Sequence, residues 1–553
     1  MSRFARPAVT LWPWVMALLV CAPLLAPGYV LSYDMVWVPD IFLNRPDVWG
    51  LGSALPRAVP SDAVIGILGA VVPAALLQKA ILVGMLGFAG MGMARLLKDI
   101  GGIGQLAGAT LFVWNPFVAE RLGLGQWPLL VAYAAVPWLI VTIRDRIGPA
   151  AVFSLAATAL SPATGLMGLF IAMVGARRGM RLRVLAIGLA INAPWIAAGL
   201  LHGSAALSDE AAIGFFDVQP EAHLGRLGAV LSLGGVWNVD VVPASRTLWL
   251  ATAFAVAIWV VIGVGLVSMW RNRRPQLVTL ALVGAVGLLL ALSGWLVTDL
   301  VAALANTVPG AGLIRDGTRY LMLLAPLEAV AFGMGAAAIA ERLAAMQRRQ
   351  WRQFAAVLLI MLPVAAMPDL AWGLAGKLKP VDYPDSWYSA REGISYLPES
   401  GDIVVLPFTS YRQPDWNNDR PVLDPAGRFF DRLTVVNDEL LLSGKPIVGE
   451  DRRAARIGES LRSQDVESAL ASDGIGVVVL ETDAGDPGVT DKQFAQFGEV
   501  QLGTSGMRLF TVDDPVVTEL SERKRAVMIF AWVLAGLTLV GAAIVALRNR
   551  LKR

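Results

Sequence analysis

The chain has 553 residues, 56% of them hydrophobic and only 16% charged, with mean hydropathy +0.60. A water-soluble domain holds about 45–50% apolar and about 25% charged residues, so much of this chain is built to meet lipid. A formal charge of +3, one cysteine and two histidines exclude a disulfide framework and a Cys- or His-based metal cluster, and give no reason to look for nucleic acid.

The first apolar stretch, Val9 to Pro27, runs into PGYVLSYD with no small-residue cleavage site and reads as a retained span. Arg3 and Arg6 place the N-terminus on the cytoplasmic side. The loop that follows, Tyr33 to Asp62, is then outside. It carries Asp34, Asp40, Asp47, Arg57 and Asp62 with Trp37 and Trp49. Residues 63–77 are apolar but short and contain Pro73, so they read as a re-entrant or interfacial segment.

Further spans fall at 79–97, 103–119, 128–143, 148–160 and 163–176, the last two hinged at Ser161-Pro162. They continue at 184–201, 247–270, 277–295, 320–340, 354–373 and 526–547. The clusters Arg95/Lys98, Arg144/Asp145/Arg146, Arg177/Arg178/Arg181/Arg183, Arg271/Arg273/Arg274, Arg342/Arg348/Arg349/Arg352 and the final RNRLKR fall on the inner side of this topology; Arg523-Lys524-Arg525, just outside the last span, is an exception. Twelve spans with both termini inside are predicted. The longer outer loop 202–246 holds Asp209, Glu210, Asp217, Glu221, His223 and Asp240.

Residues 377–520 are far more polar. DIVVLP (402–407), KPIVGE (445–450) and IGVVVLET (475–482) read as short buried strands, and AARIGESLRSQDVESALAS as one helix. The predicted organisation is a multi-span membrane domain (1–376), an extracytoplasmic α/β domain (377–520), and a final span with a basic cytoplasmic tail (521–553). Nothing in 377–520 matches a phosphate loop, a nucleophile elbow or a zinc motif. Its segment YRQPDWNNDRPVLD (411–424) sets Trp416 among Asn, Asp and Arg, which suits stacking and hydrogen bonding to a sugar; the alternative is a polar loop with one packed Trp.

A carboxylate at a membrane face is costly unless solvated or functional. Asp34 is the first candidate for a general base and Asp40 the second. Together they would offer a divalent cation (Mg, Mn or Ca) only a weak site. Arg57, Arg121, Arg315 and Arg319 fall at the outer face, against the general bias, and a guanidinium there can hold a phosphate bidentately. The competing reading pairs Arg57 with Asp62, Glu120 with Arg121, and Asp316 with Arg319. His223 is a minor acid–base candidate. Glu328, mid-span in LLAPLEAVAF, is a candidate to face a cavity, and Asp369 reads as structural.

The layout resembles the polyprenyl-phosphate-dependent GT-C glycosyltransferases: a retained first span, an acidic first outer loop, an apolar re-entrant segment, about a dozen spans and an outer C-terminal domain. YDMVWVPD, ALPRAVPSD, WNPFVAERL and RDGTRY look like segments of actinobacterial integral membrane proteins. Those are similar to the membrane part of the mycobacterial arabinofuranosyltransferases. The resemblance covers the first two-thirds by layout and less by motif. It implies a GT-C-like fold at the plasma membrane, a polyprenyl-phosphate sugar donor and a cell-envelope glycan or glycolipid acceptor. It further implies inverting transfer of arabinofuranose or mannose, with the base at Asp34 or Asp40. The first loop departs from the pattern in lacking an adjacent acidic pair. No carbohydrate-binding module follows beyond 377–520, so a non-catalytic assembly protein stays a rival, as does a transporter or flippase.

Overall fold

The computed structural model describes residues 5–144, 146–202, 214–272, 277–308, 310–345, 349–398, 400–442, 445–447, 449–517 and 519–552. Arg3, Asp145, Asp209, Glu210, Arg273, Arg274 and Arg348 lie outside them. Among the described residues, seven helices are long and apolar enough to cross a membrane, or eight if one bent pair counts as a span. The twelve predicted spans are therefore not all membrane-length helices.

The shortfall has local causes. The predicted span 103–119 is broken at Asn115, where α1 (Gly102–Val113) ends and α2 (Pro116–Gly123) begins. The Asn115 side chain accepts the Val118 N–H at 3.1 Å and Pro116 sits at the first helical position, a strong start signal for a new helix. The predicted span 354–373 breaks after α3 (Arg349–Ala366), bending by 67° into Pro368–Ala375. The freed Met367 carbonyl accepts the Trp114 indole N–H at 2.7 Å, so one break helps satisfy the other. Trp127–Ile143, Pro149–Thr158 and Pro162–Gly175 are apolar but shorter than a span. Residues 63–77 divide between the short helix Ser61–Gly69 and the start of the spanning helix Ala74–Leu96.

Two spans, Trp249–Arg271 and Leu321–Ala345, meet through glycines. A Cβ at Gly265 would strike the Ala331 carbonyl, and one at Gly335 would strike the Val261 carbonyl. Small residues let helix backbones approach where lipid gives little hydrophobic drive to associate. Gly335→Leu is expected to force the pair apart, with an overpacking cost of about 1–3 kcal/mol. A lower melting temperature in detergent would report it; an unchanged one would show that the contact is dispensable.

Strands are numbered along the chain, β1 (Tyr29–Val30) pairing with β2 (Pro380–Val381) and β4 (Tyr411–Arg412) with β5 (Val422–Leu423); the polar region builds a five-stranded sheet in the order β10 (Gly498–Val500), β11 (Met507–Thr511), β9 (Ile475–Glu481), β3 (Asp402–Leu406), β6 (Thr434–Val435). β3 pairs in parallel with β6 and β9, and β11 runs antiparallel to β9 and β10. Side chains alternate between the faces, as the strand period demands. Ile403, Val405, Val477, Val479 and Leu509 join the core that continues into the membrane helices. Val404, Leu406, Val478, Leu480 and Phe510 join a second core under Arg452–Ser460 and Val466–Ser472.

Two strand expectations sit in this sheet. The third, KPIVGE, instead forms one arm (β8, Lys445–Ile447) of a separate hairpin with β7 (Leu440–Leu442). The single helix expected over 454–472 is two helices, because Asp465 caps the second by accepting the Ser468 N–H.

Candidate functional site

Asp34 stands at the tip of a tight turn. The Met35 N–H donates to the Ser32 carbonyl at 2.8 Å, and Tyr33 takes a left-handed backbone (φ 44°). Two other parts of the chain clamp this turn. The Asp34 N–H donates to the Leu124 carbonyl at 3.0 Å, and Gly125 presses so closely that a Cβ there would overlap Ser32 and Met35. From the C-terminal region, the Tyr33 N–H donates to the Pro421 carbonyl at 2.7 Å and the Leu423 N–H to the Tyr33 carbonyl at 2.8 Å. Arg420 straps the joint, donating to Ser32 Oγ at 2.6 Å and to the Gly123 carbonyl at 2.9 Å. The first loop and the segment 411–424, both singled out in the sequence, therefore form one unit.

The Asp34 carboxylate is exposed and doubly held. Tyr411 donates its hydroxyl to Oδ1 at 2.6 Å, and Gln126 donates its amide to Oδ2 at 3.0 Å. Burial, reinforced by Asp34, pushes the Tyr411 phenol well above its ordinary range, so it stays a donor. Gln126 is anchored in turn: its Oε1 accepts from Arg121 at 2.9 Å. Arg121 is buried and grips Asp316 with both terminal nitrogens, at 2.8 and 3.1 Å, and Thr318 at 2.6 Å. Arg319 adds a contact to Asp316 at 3.3 Å. Burial alone would raise the Asp316 carboxyl; Arg121 and Arg319 overcome this and hold it below the usual carboxylate range.

Beside this chain lies a pair of guanidiniums. Arg57 meets Glu450 at 2.6 Å and Arg315 meets the same carboxylate at 3.3 Å. Arg315 also lies over the Phe216 ring at 4.7 Å. Burial, with Arg57 next to it, pulls the Arg315 guanidinium down to about 10, still charged at neutral pH. The arginines crowd one another, and Arg57 is near enough to act on the Tyr411 phenol.

The candidates thus divide. Asp34, Arg57, Arg315 and Arg319 fall around one region. Arg121 belongs to it as a buried anchor whose donors are taken by protein groups, not as a free phosphate ligand. The pairings expected for the arginines are partly different. Asp62 binds Arg428 at 2.7 Å in place of Arg57, and Glu120 lies with Glu221 and Arg246 as well as near Arg121, whose terminal nitrogens go to Asp316. Asp40 is turned to Arg391 at 3.2 Å and shares no partner with Asp34. Among the described residues no three His, Cys, Asp or Glu come together to hold a metal. No step below is routed through one.

His223 is stacked on Trp249 at 4.0 Å, with Nε2 3.0 Å from the Thr247 carbonyl. Trp416 packs half-buried between Tyr383 and Trp387, with ring centroids at 5.2 and 6.1 Å. The ring thus sits in an aromatic cluster. Asp369 accepts the Ser245 N–H at 2.7 Å and is structural. Glu328 is buried and lines a small cavity with Trp114, Asn115, Arg246 and Trp259. Gln126, Tyr411 and Glu450 were not singled out in the sequence. Tyr411 and Glu450 do lie inside quoted segments and Gln126 just past one, but only the fold turns Tyr411 and Gln126 toward Asp34.

The fold and site define a polytopic helical membrane protein whose first loop and C-terminal polar region share one cluster of carboxylates and arginines. Its fold is similar to part of the arabinofuranosyltransferase AftD from mycobacteria. Alignment with a mutant form of that protein gives a TM-score of 0.53 at 16% identity, covering 92% of this chain and 41% of AftD. Alignment with a second AftD structure gives 0.51 at 17% identity, covering 92% and 40%. The chain therefore spans about two-fifths of the length of the protein whose fold it shares. No protein-family model matches it, and no characterised protein matches it by sequence.

Proposed function

We propose that the chain is an inverting membrane glycosyltransferase of the GT-C type. It would move a sugar, arabinofuranose before mannose, from a polyprenyl phosphate to a cell-envelope glycan or glycolipid at the outer face of the plasma membrane. The observation that carries this reading is the Asp34 carboxylate, fixed by Tyr411 and Gln126 beside the Arg57–Arg315 pair, on the fold shared with AftD.

In this mechanism an acceptor hydroxyl gives its proton to Asp34 and its oxygen bonds to the anomeric carbon. The bond from that carbon to the phosphate oxygen breaks on the opposite face, and the phosphate leaves with the electron pair toward the arginines. Tyr411 and Gln126 orient the base. The bilayer holds the prenyl chain, and the pocket meets the lipid-borne phosphate at the membrane surface.

The test supplies purified protein in detergent with radiolabelled decaprenyl-phosphoryl arabinose, then the mannose donor, and cell-wall acceptor fragments. Transfer from either donor that depends on Asp34 supports the reading. No transfer from either, with folded protein, removes it.

A further inference from the structure

Glu450 is the one acidic side chain seen to bridge Arg57 and Arg315 among the described residues. It is held there from behind: its own N–H and that of Asp451 donate to Asp438 Oδ2, at 2.6 and 2.9 Å. The hairpin preceding it docks through Ile447 against Phe216 and Trp237, and Phe216 lies under Arg315. Glu450 is thus a fixed negative charge inside the place where an anion would meet the two guanidiniums. Arg319 lies near Arg315 and Tyr411 near Arg57, while Asp438 and Asp316 also act on the pair from further out.

We propose that Glu450 makes this pocket discriminate between anions by charge, favouring a phosphodiester over a phosphomonoester. The inference rests on the reading of the pocket as the phosphate end of the donor site. The chemistry of that reaction gives the discrimination a purpose. The donor is a diester carrying one negative charge. The product, polyprenyl phosphate, is a monoester carrying about −1.5 to −2 at neutral pH. Two bare guanidiniums would hold the product more tightly than the donor, and turnover would stall on release. A carboxylate fixed between them repels each anion in proportion to its charge, so it penalises the product more. Glu450 is then a specificity-determining residue rather than a catalytic one.

At near-aqueous screening, a unit charge about 6 Å away changes a binding constant by about threefold for a singly charged ligand and about tenfold for a doubly charged one. The experiment compares wild type, Glu450→Gln and Glu450→Ala in detergent, using decaprenyl phosphate and decaprenyl-phosphoryl arabinose as ligands. Both variants are expected to tighten the monoester by about tenfold and the diester by about threefold, so that the preference shifts toward product. In the transfer assay, inhibition by added decaprenyl phosphate should deepen in parallel. Equal tightening of the two ligands overturns the role while leaving the donor reading in place. Weaker binding of both, in variants that melt like the wild type, also overturns it and makes Glu450 a positioning group for the arginines. Failure of both ligands to bind the wild type overturns this inference and the donor reading together.

Discussion

Asp34→Asn is expected to lower transfer by about 10²–10⁴-fold without unfolding the protein, the range lost when a general base is removed. The asparagine keeps the shape of the side chain and loses its ability to take a proton. The turn that carries it is fixed by backbone bonds to Leu124, Pro421 and Leu423, none of which involve the carboxylate. The residue is exposed, so no buried charge is created or stranded. The loss should appear in kcat, with donor KM little changed, because the phosphate end of the pocket is untouched. Tyr411→Phe should lose less, since Gln126 still holds the other carboxylate oxygen. Asp40→Asn should transfer near the wild-type rate, its partner being Arg391. Initial rates with a radiolabelled donor, beside melting curves for each variant, decide the matter. Full activity in Asp34→Asn would remove Asp34 as the base and move Asp40 ahead of it.

What the sequence disclosed follows from which interactions are local. Hydropathy over about 20 residues reports on lipid directly, so the long spans Ala74–Leu96, Trp249–Arg271 and Leu277–Leu296 were legible within a few residues. The breaks at Asn115 and Met367 were not, although Asn-Pro is a helix start signal. An apolar window counts residues and does not ask where their backbone bonds go. Strands β3 and β9 were legible as buried β-branched runs, while the hairpin strand β8 looked the same and belongs elsewhere.

The site was half legible. Asp34 and the arginines announce themselves by charge at the membrane surface, where charge is costly. Gln126 and Tyr411 are polar residues in polar loops, and their role comes from pairing across 92 and 377 positions of sequence. The same long-range closure moved Trp416 into a packed cluster and gave Arg57 to Glu450 instead of the nearby Asp62.

Arg121→Ala is expected to be the most destabilising single change at this site, costing about 3–5 kcal/mol, because it strands a buried carboxylate. Arg121 and Asp316 have side chains only 1% and 3% exposed, so water cannot replace the lost partner. Arg319 touches the same carboxylate at 3.3 Å through a single nitrogen and cannot reproduce the two-point grip. Arg121→Ala paired with Asp316→Ala should recover part of the loss, since the double variant strands no buried carboxylate and deprives only the part-exposed Arg319 of its partner. The effect reaches the chemistry as well. Gln126 loses the donor that fixes its carbonyl, so the amide that holds Asp34 is free to turn, and activity should fall even where the protein survives. Acid provides an independent check. The folded Asp316 carboxyl lies below its unfolded value of 3.8, so the folded state binds fewer protons there than the unfolded one. Its contribution to stability is fully present above that value and is lost as the pH falls through it toward the folded value. Melting temperatures of the wild type should therefore drop steeply only below about pH 4, and the Arg121→Ala/Asp316→Ala variant should show a shallower drop over the same interval. Equal slopes in the two proteins would show that the pair does not set acid stability.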